Sequence, residues 1–284
     1  MEKLIPKSFD KIIESWFQED IPSINYHAFI VGDQQQKATL YMKQSGVVSG
    51  LAFFSRIFQK LDCEVSFSVP EGAYISLEDK SKIPIGHVTG RICDILEGER
   101  LSLNVLSHCS GISTKGYKLN EIRKKHNWKG KIAGTRKTLP GLRLVQKYAL
   151  LVAGLDTHRF DLSSCVMIKD NHIKALGSIA KAIAKAKEVI SFANKIEVEC
   201  KNLEEAMEAA ENGADIVMFD NYEPKKLKED AASLKKLYPK TIVESSGGIT
   251  EESIAEYFDM NIDVISMGSV TQEIEKIDFS LKVD

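Results

Sequence analysis

From Lys131 to Met267 the chain repeats one phrase: a short apolar run, a polar or glycine-bearing stop, and a stretch of helical periodicity. The apolar runs are Lys131–Thr135, Val166–Ile168, Ile196–Cys200, Ile216–Phe219, Ile242–Ser245 and Val264–Met267, and helical patterns lie between them at 141–152, 178–192, 203–212, 224–237 and 250–258. Strands written as continuous apolar runs are buried on both faces, and strands joined by helices run parallel because each crossover returns the chain to the same sheet end. The passage from Ala210 to Asp215 shows the punctuation: the helix stops at Gly213 and the strand Ile216–Phe219 follows. Six strands, with a seventh accommodated, predict an incomplete (β/α) barrel. A doubly wound open sheet is the alternative, weakened by the lack of a G-x-G-x-x-G run after the first strand.

The residues before this region have another texture. Residues 8–18 read as a helix with Phe9, Ile12, Ile13 and Trp16 on one face, 37–48 as a strand and 50–61 as a helix. Strand-like runs follow at Cys63–Val69, Ala73–Leu77 and Ile83–Leu96, then a long helix from Glu99 to about His126. Strand, helix and sheet without strict alternation predict a small α+β domain.

A net charge of −2 on 284 residues gives no global case for a nucleic acid or membrane partner, so any attraction for a charged substrate must be local. No run approaches the length of a membrane span, and the amino-terminal stretch lacks a signal peptide's basic-then-apolar pattern. Cys63, Cys93, Cys109, Cys165 and Cys200 are odd in number and contain no C-x-x-C, which fits buried thiols in a reducing compartment, so a cytoplasmic location is expected.

Barrel enzymes place their sites at the carboxyl ends of the strands. Those ends carry Arg136 and Lys137, then Lys169, then Glu199, then Asp220, then Ser246-Gly247-Gly248, then Gly268. A guanidinium grips a carboxylate or phosphate with two hydrogen bonds, and a lysine adds a compact charge beside it. His158 and Arg159 form another cationic pair, whereas Arg143 and Lys147, on the following helix pattern, fit a solvated face. Lys169 admits two readings, an anion ligand or a Schiff-base lysine. Glu197 and Glu199 are two apart on one strand and share a face, and glutamate is costly against packed helices, so both point inward. Glu199 with Asp220 suits ribose hydroxyls or a Mg²⁺ ion on phosphates, while a glycosidase carboxylate pair would not need so many cations. Glycines at the later strand ends let backbone N–H groups approach a phosphate.

Read in order, Gly134-Thr-Arg-Lys-Thr-Leu-Pro-Gly-Leu-Arg143, Lys147-Tyr148, His158-Arg159, Ile168-Lys-Asp-Asn-His172, Glu197-Val-Glu199, Phe219-Asp-Asn221 and Ser246-Gly-Gly-Ile249 resemble the quinolinate phosphoribosyltransferases, nearer their eukaryotic branch. Leu139 and Ser245 depart from the usual pattern without removing a ligand. A paralogous family linked to molybdate transport shares part of it, and the intact cation set argues against that family.

The resemblance implies an N-terminal α+β open-faced sandwich over residues 1–110, onto which 271–284 packs back, and an incomplete barrel over 111–270. It implies quinolinate and phosphoribosyl pyrophosphate as substrates and Mg²⁺ as cofactor. Arg136, His158, Arg159 and the partner subunit's Arg100 are implied for quinolinate, with Lys137 and Lys169 bridging to the phosphates. Glu199 and Asp220 face ribose and Mg²⁺, and Ser246, Gly247, Gly248 and Gly268 hold the 5′-phosphate. Lys137, Lys169, Glu199 and Asp220 are the residues expected to carry the chemistry. A homodimer with shared sites, or a trimer of such dimers, is the implied assembly.

Overall fold

The computed structural model describes residues 2–284. After two 3-10 turns come α1 (Asp10–Asp20), α2 (Tyr26–Val31), β1 (Gln35–Met42), β2 (Gly46–Val47), α3 (Leu51–Gln59), β3 (Glu64–Phe67), β4 (Tyr74–Ile75), β5 (Ile83–Arg91) and α4 (Ile92–Lys125). The chain continues with β6 (Lys131–Gly134), α5 (Arg143–Val152), β7 (Cys165–Ile168), α6 (Asp170–Leu176), α7 (Ile179–Lys187), β8 (Lys195–Cys200), α8 (Leu203–Glu211) and β9 (Ile216–Asp220). It ends with α9 (Pro224–Leu237), β10 (Ile242–Ser246), β11 (Val264–Met267), α10 (Ser269–Gln272) and β12 (Phe279–Val283).

Two compact units result. The first comprises residues up to Tyr117 together with Thr138–Gly154 and Glu273–Asp284. Its four-stranded sheet has the order β12-β1-β5-β3 with every pairing antiparallel. Ala38, Leu40 and Met42 alternate along β1 and enter a core shared with Phe54, Phe58, Ile85, Val88, Ile95, Phe279 and Leu281. Period-two alternation is what a sheet covered on one face requires, which makes this unit the open-faced layer. The C-terminal strand is part of that sheet because Phe279 and Leu281 share its buried face, in register with Met42 and Leu40.

Helix α5 also belongs to this first unit rather than to the barrel. Val145, Gln146, Lys147, Tyr148, Ala149 and Leu150 are all buried, Tyr148 packs edge-on against Phe53 at 5.0 Å, and Ser113 Oγ donates to the Ala149 carbonyl at 2.8 Å. The solvated face expected for Lys147 is therefore absent: its side chain is 0% exposed, because the helix is buried around most of its circumference. The long helix also differs from expectation. The apolar run taken for one strand over Ile83–Leu96 splits at Arg91, where Arg91 pairs with Asp94 in the first turn of α4 at 2.6 Å. An acidic residue there meets the positive end of the helix dipole, and Ile92 and Ile95 become one helical face.

The second unit holds Lys118–Lys137 and Leu155–Gln272. Its six strands have the order β6-β11-β10-β9-β8-β7, all parallel. From β7 to β11 each strand lies beside its successor, and β6 closes onto the last of them. A doubly wound sheet would reverse direction part-way, so this order specifies a barrel. The barrel is incomplete because β6 and β7 do not pair. A single parallel bridge from Asp156 to Ala133 puts a rudimentary seventh strand in that gap. The helix predicted over 250–258 is only a 3-10 turn at Ile254–Tyr257, and α6 occupies what reads in sequence as a loop after Lys169. Asp170 opens α6 and Gly177, at φ 92°, ends it.

Candidate active site

Six strand ends meet at one face of the second unit. Lys169, just past β7, forms an ion pair with Glu199 on β8. Register explains the match, since Met167 pairs with Glu197 and the two residues after each stay level. Asp220 ends β9. Burial raises its pKa first and the Glu199 charge second, opposed by the Asn221 hydrogen bond and by Lys169 and Lys137. These side chains therefore share one electrostatic environment.

Lys137 is fixed at its backbone. Its N–H donates to Thr135 Oγ1 at 3.2 Å, and Thr271 Oγ1 donates to its carbonyl at 2.8 Å. Its aliphatic stem runs over Gly268, where an added Cβ would lie 3.0 Å from Lys137 Cδ. Gly247 and Gly248 follow β10 with φ of 92° and 66°. Consecutive positive values in this turn turn peptide N–H groups into a concavity suited to an anion. A Cβ on Gly247 would meet Asn221 Oδ1 at 2.3 Å, so glycine is required there by both torsion and space. Arg136 is half-buried beside Lys137, and Arg100 is exposed on α4 in the first unit.

His158 and Arg159 take positions the cation pattern did not suggest. The His158 ring is turned into the barrel interior. Its Nε2 lies 3.0 Å from Glu244 Oε2 and 3.7 Å from Glu197 Oε2, and Ser266 Oγ donates to Glu244 Oε1 at 2.5 Å. The Arg159 N–H points at His158 Nδ1 from 2.7 Å. Both ring nitrogens are thus engaged within this chain. Burial alone would lower the His158 pKa, but the hydrogen bonds to Glu197 and Glu244 outweigh it and raise it to about 10. The Arg159 N–H opposes a proton on Nδ1, yet two buried carboxylates outweigh one peptide dipole. The Glu197 pKa is also raised, mainly by burial.

The Arg159 guanidinium lies 3.5 Å from the carbonyl of Cys165, the first residue of β7. It lines a cavity of about 1080 Å³ at the amino ends of the strands, bordered by Trp128, Lys131, Lys195, Ile242 and Val264. That opening is remote from the Lys169–Glu199 pair. The chemistry belongs at the carboxyl ends, where the charged groups and glycine turns converge. Glu244 and Ser266 are the residues sequence reasoning passed over. The signal was a glutamate within an apolar strand, the same one that singled out Glu199.

Lys118–Gln272 and the sheet unit together contain a known pairing of domains. Residues 23–110 match the family model described as quinolinate phosphoribosyl transferase, N-terminal domain, and residues 112–282 match the C-terminal domain model of that family. The chain belongs to the quinolinate phosphoribosyl transferase family. The two family models meet at residue 111, whereas Thr138–Gly154 and Glu273–Asp284 belong spatially to the other side of that line.

Among relatives in the family, the nicotinate-nucleotide pyrophosphorylase [carboxylating] of Dictyostelium discoideum is 49% identical over 295 residues, covering 100% of this chain and 98% of that protein. The Rattus norvegicus protein of the same name is 44% identical over 280 residues, covering 99% and 92%. The crystal structure of NadC from Streptococcus pyogenes superposes with a TM-score of 0.89 at 33% identity, covering 99% of this chain and 98% of that one. The higher identities to the two eukaryotic proteins agree with the branch suggested by the motifs.

Proposed function

We propose that this chain transfers the phosphoribosyl group of phosphoribosyl pyrophosphate to quinolinate with decarboxylation, giving nicotinate mononucleotide, pyrophosphate and CO₂ in NAD biosynthesis. The observation that carries this reading is the convergence of Lys137, Lys169, Glu199 and Asp220 with two glycine turns at the carboxyl ends of a barrel from this family.

Both substrates are anions, and their approach in a site shielded from water is prohibitive without counter-charge. Arg136 clamps the quinolinate carboxylates, with Arg159 and the partner subunit's Arg100 completing the cationic wall. Lys137 and Lys169 stand between quinolinate and the pyrophosphate. The Ser246–Gly248 turn and Gly268 offer peptide N–H groups to the 5′-phosphate. Glu199 faces the ribose, where its charge favours the oxocarbenium character that builds at C1′ as the bond to pyrophosphate breaks. The pyridine nitrogen forms the new bond to C1′. The quaternised ring then accepts the electron pair released when the adjacent carboxylate leaves as CO₂, and that ring carbon takes up a proton.

Glu199 and Asp220 also fit a hard divalent cation. Both offer oxygen donors, and their mutual repulsion, visible in the raised pKa of Asp220, is what a cation would relieve. They would hold Mg²⁺, which when bound neutralises charge on the departing pyrophosphate.

The Schiff-base alternative is disfavoured by the surroundings of Lys169. An amine nucleophile of that type sits in a dry apolar pocket or against another cation. Lys169 is 42% exposed and paired with a carboxylate. We further propose a homodimer with shared sites, compatible with a trimer of dimers, supported by the exposure of Arg100, and a cytoplasmic location, supported by five free cysteines. Among the described residues no helix is long and apolar enough to cross a membrane.

The test is turnover of quinolinate with phosphoribosyl pyrophosphate, following CO₂ and pyrophosphate together. Equimolar release supports the reading. Oxyanion binding without release of either product would overturn it.

A further inference from the structure

The interior of the barrel holds three ionisable side chains that the reaction does not use directly. Glu197 is 0% exposed, Glu244 1% and the His158 side chain 9%. Burying two carboxylates and an imidazole is expensive, and apolar residues of the same volume would serve stability as well or better. Such a cluster needs a geometric reason.

Its position supplies one. Glu197 and Glu244 lie on β8 and β10, on the paired wall of the barrel. His158 comes directly after Leu155–Thr157, the segment in the gap between β6 and β7. That segment is attached to β6 by two hydrogen bonds: the Gly134 N–H donates to the Asp156 carbonyl at 3.0 Å, and the Asp156 N–H donates to the Ile132 carbonyl at 2.8 Å. Arg136 and Lys137 begin two residues beyond Gly134. The His158 side chain therefore spans the interior from the open seam to the opposite wall. Its backbone is held at φ 53°, a conformation unfavourable for a residue with a Cβ, by the Asp156 carboxylate, which accepts the His158 N–H at 2.8 Å.

We propose that Glu244 and Glu197 are positioning residues. Through the His158 ring they tie the seam segment Leu155–Thr157 across the barrel and so hold the Arg136–Lys137 turn where it grips the substrate dicarboxylate. The roles are unequal. Glu244 receives the Nε2–H and is itself anchored by Ser266, whereas Glu197 stands farther off and its Oε1 has no hydrogen-bond partner among the described residues. Glu244 is the principal anchor.

A divalent metal is the other occupant to weigh, because His158, Glu197 and Glu244 bring their ligand atoms within 4.8 Å of one another. A metal on Nε2 requires the neutral ring to carry its proton on Nδ1, where it donates to a second partner. Here Nδ1 faces the Arg159 N–H, a donor, at 2.7 Å. The ring is oriented for a proton on Nε2 directed at Glu244, which is the strut and not the metal site.

The proposal rests on the functional reading for its consequence, and the test separates the two. Amide hydrogen exchange on the full-length Glu244→Ala protein reads the strut without reference to activity. Exchange at Gly134 and Asp156 should quicken by about tenfold or more, while amides in β9 keep their protection. Unchanged exchange at both positions overturns the strut. Kinetics then read its effect on the site. In Glu244→Ala the KM for quinolinate should rise about tenfold while that for phosphoribosyl pyrophosphate stays within about twofold, and Glu244→Gln, which still accepts from Nε2, should recover most of the loss. Faster exchange with both KM values unchanged overturns the positioning role and leaves a purely structural one. A wild-type protein without turnover defeats the functional reading alone, since the exchange result still judges the strut.

Discussion

Replacing Lys169 with methionine separates a side chain kept for chemistry from one kept for stability. The structure sets the stability side. The Lys169 side chain is 42% exposed and Glu199 16%, so their ion pair is screened by water and contributes about 0–1 kcal/mol. Methionine keeps the apolar stem, and the expected fall in Tm is at most about 2–4 °C. The activity side is larger. A preorganised charge facing a departing pyrophosphate is worth about 2.7–4 kcal/mol, so kcat should fall about 10²–10³-fold. Initial rates of CO₂ and pyrophosphate release at saturating substrates, beside thermal unfolding of the same preparation, measure both. A kcat within about threefold of wild type would refute the placement of Lys169 against the phosphates. So would a loss of activity explained by unfolding. Lys169→Arg keeps the charge and should recover part of the rate, whereas a borohydride-reducible adduct at Lys169 would revive the Schiff-base reading.

Gly247→Ala forces a Cβ onto a residue at φ 92°, 2.9 Å from the Asn221 backbone nitrogen, and should destabilise by about 1–3 kcal/mol and raise the KM for phosphoribosyl pyrophosphate. Denaturant melts with substrate titrations check both effects. Ser245 Oγ is buried without a hydrogen-bond partner among the described residues, so Ser245→Ala should raise stability by about 1 kcal/mol with kinetics unchanged. Burial and the Glu199 charge raise the Asp220 pKa above 3.8, so the fold holds that proton more tightly than the unfolded chain and stability declines as pH rises through the folded pKa. Asp220→Asn should therefore melt higher than wild type at neutral pH, lose that advantage as pH falls through 3.8, and turn over more slowly. If sites are shared, inactive Arg100→Ala and Lys169→Met proteins should recover up to about a quarter of wild-type activity when unfolded and refolded together, and no recovery would argue against the shared site.

Much of this was legible because the relevant signals are local. Period-two alternation at Ala38, Leu40 and Met42 announces a half-covered sheet, and the apolar runs ending in Lys169, Glu199 and Asp220 announce barrel strands with polar ends. Signals shared by two structures misled. The apolar run Ile83–Leu96 suits a strand or a helix face, and only packing around Ile95 decides where one becomes the other. Lys147 looked solvated because the cation, by itself, favours water, and no local pattern reveals a helix buried on nearly all sides.

The sequence by itself determined the barrel, the order in which charges and glycines arrive at its strand ends, and the family. Strand period, glycine punctuation and charge type act within a few residues of each other and need no distant partner. Tertiary structure alone decided which charges meet. Lys169 finds Glu199 through the register of β7 with β8, 30 residues away. His158 finds Glu244 86 residues away, across the interior of a barrel left open between β6 and β7. Such pairings are set by register and closure of the whole sheet, which is why a cation that in sequence looks ready for a ligand is, in the fold, already held by two glutamates.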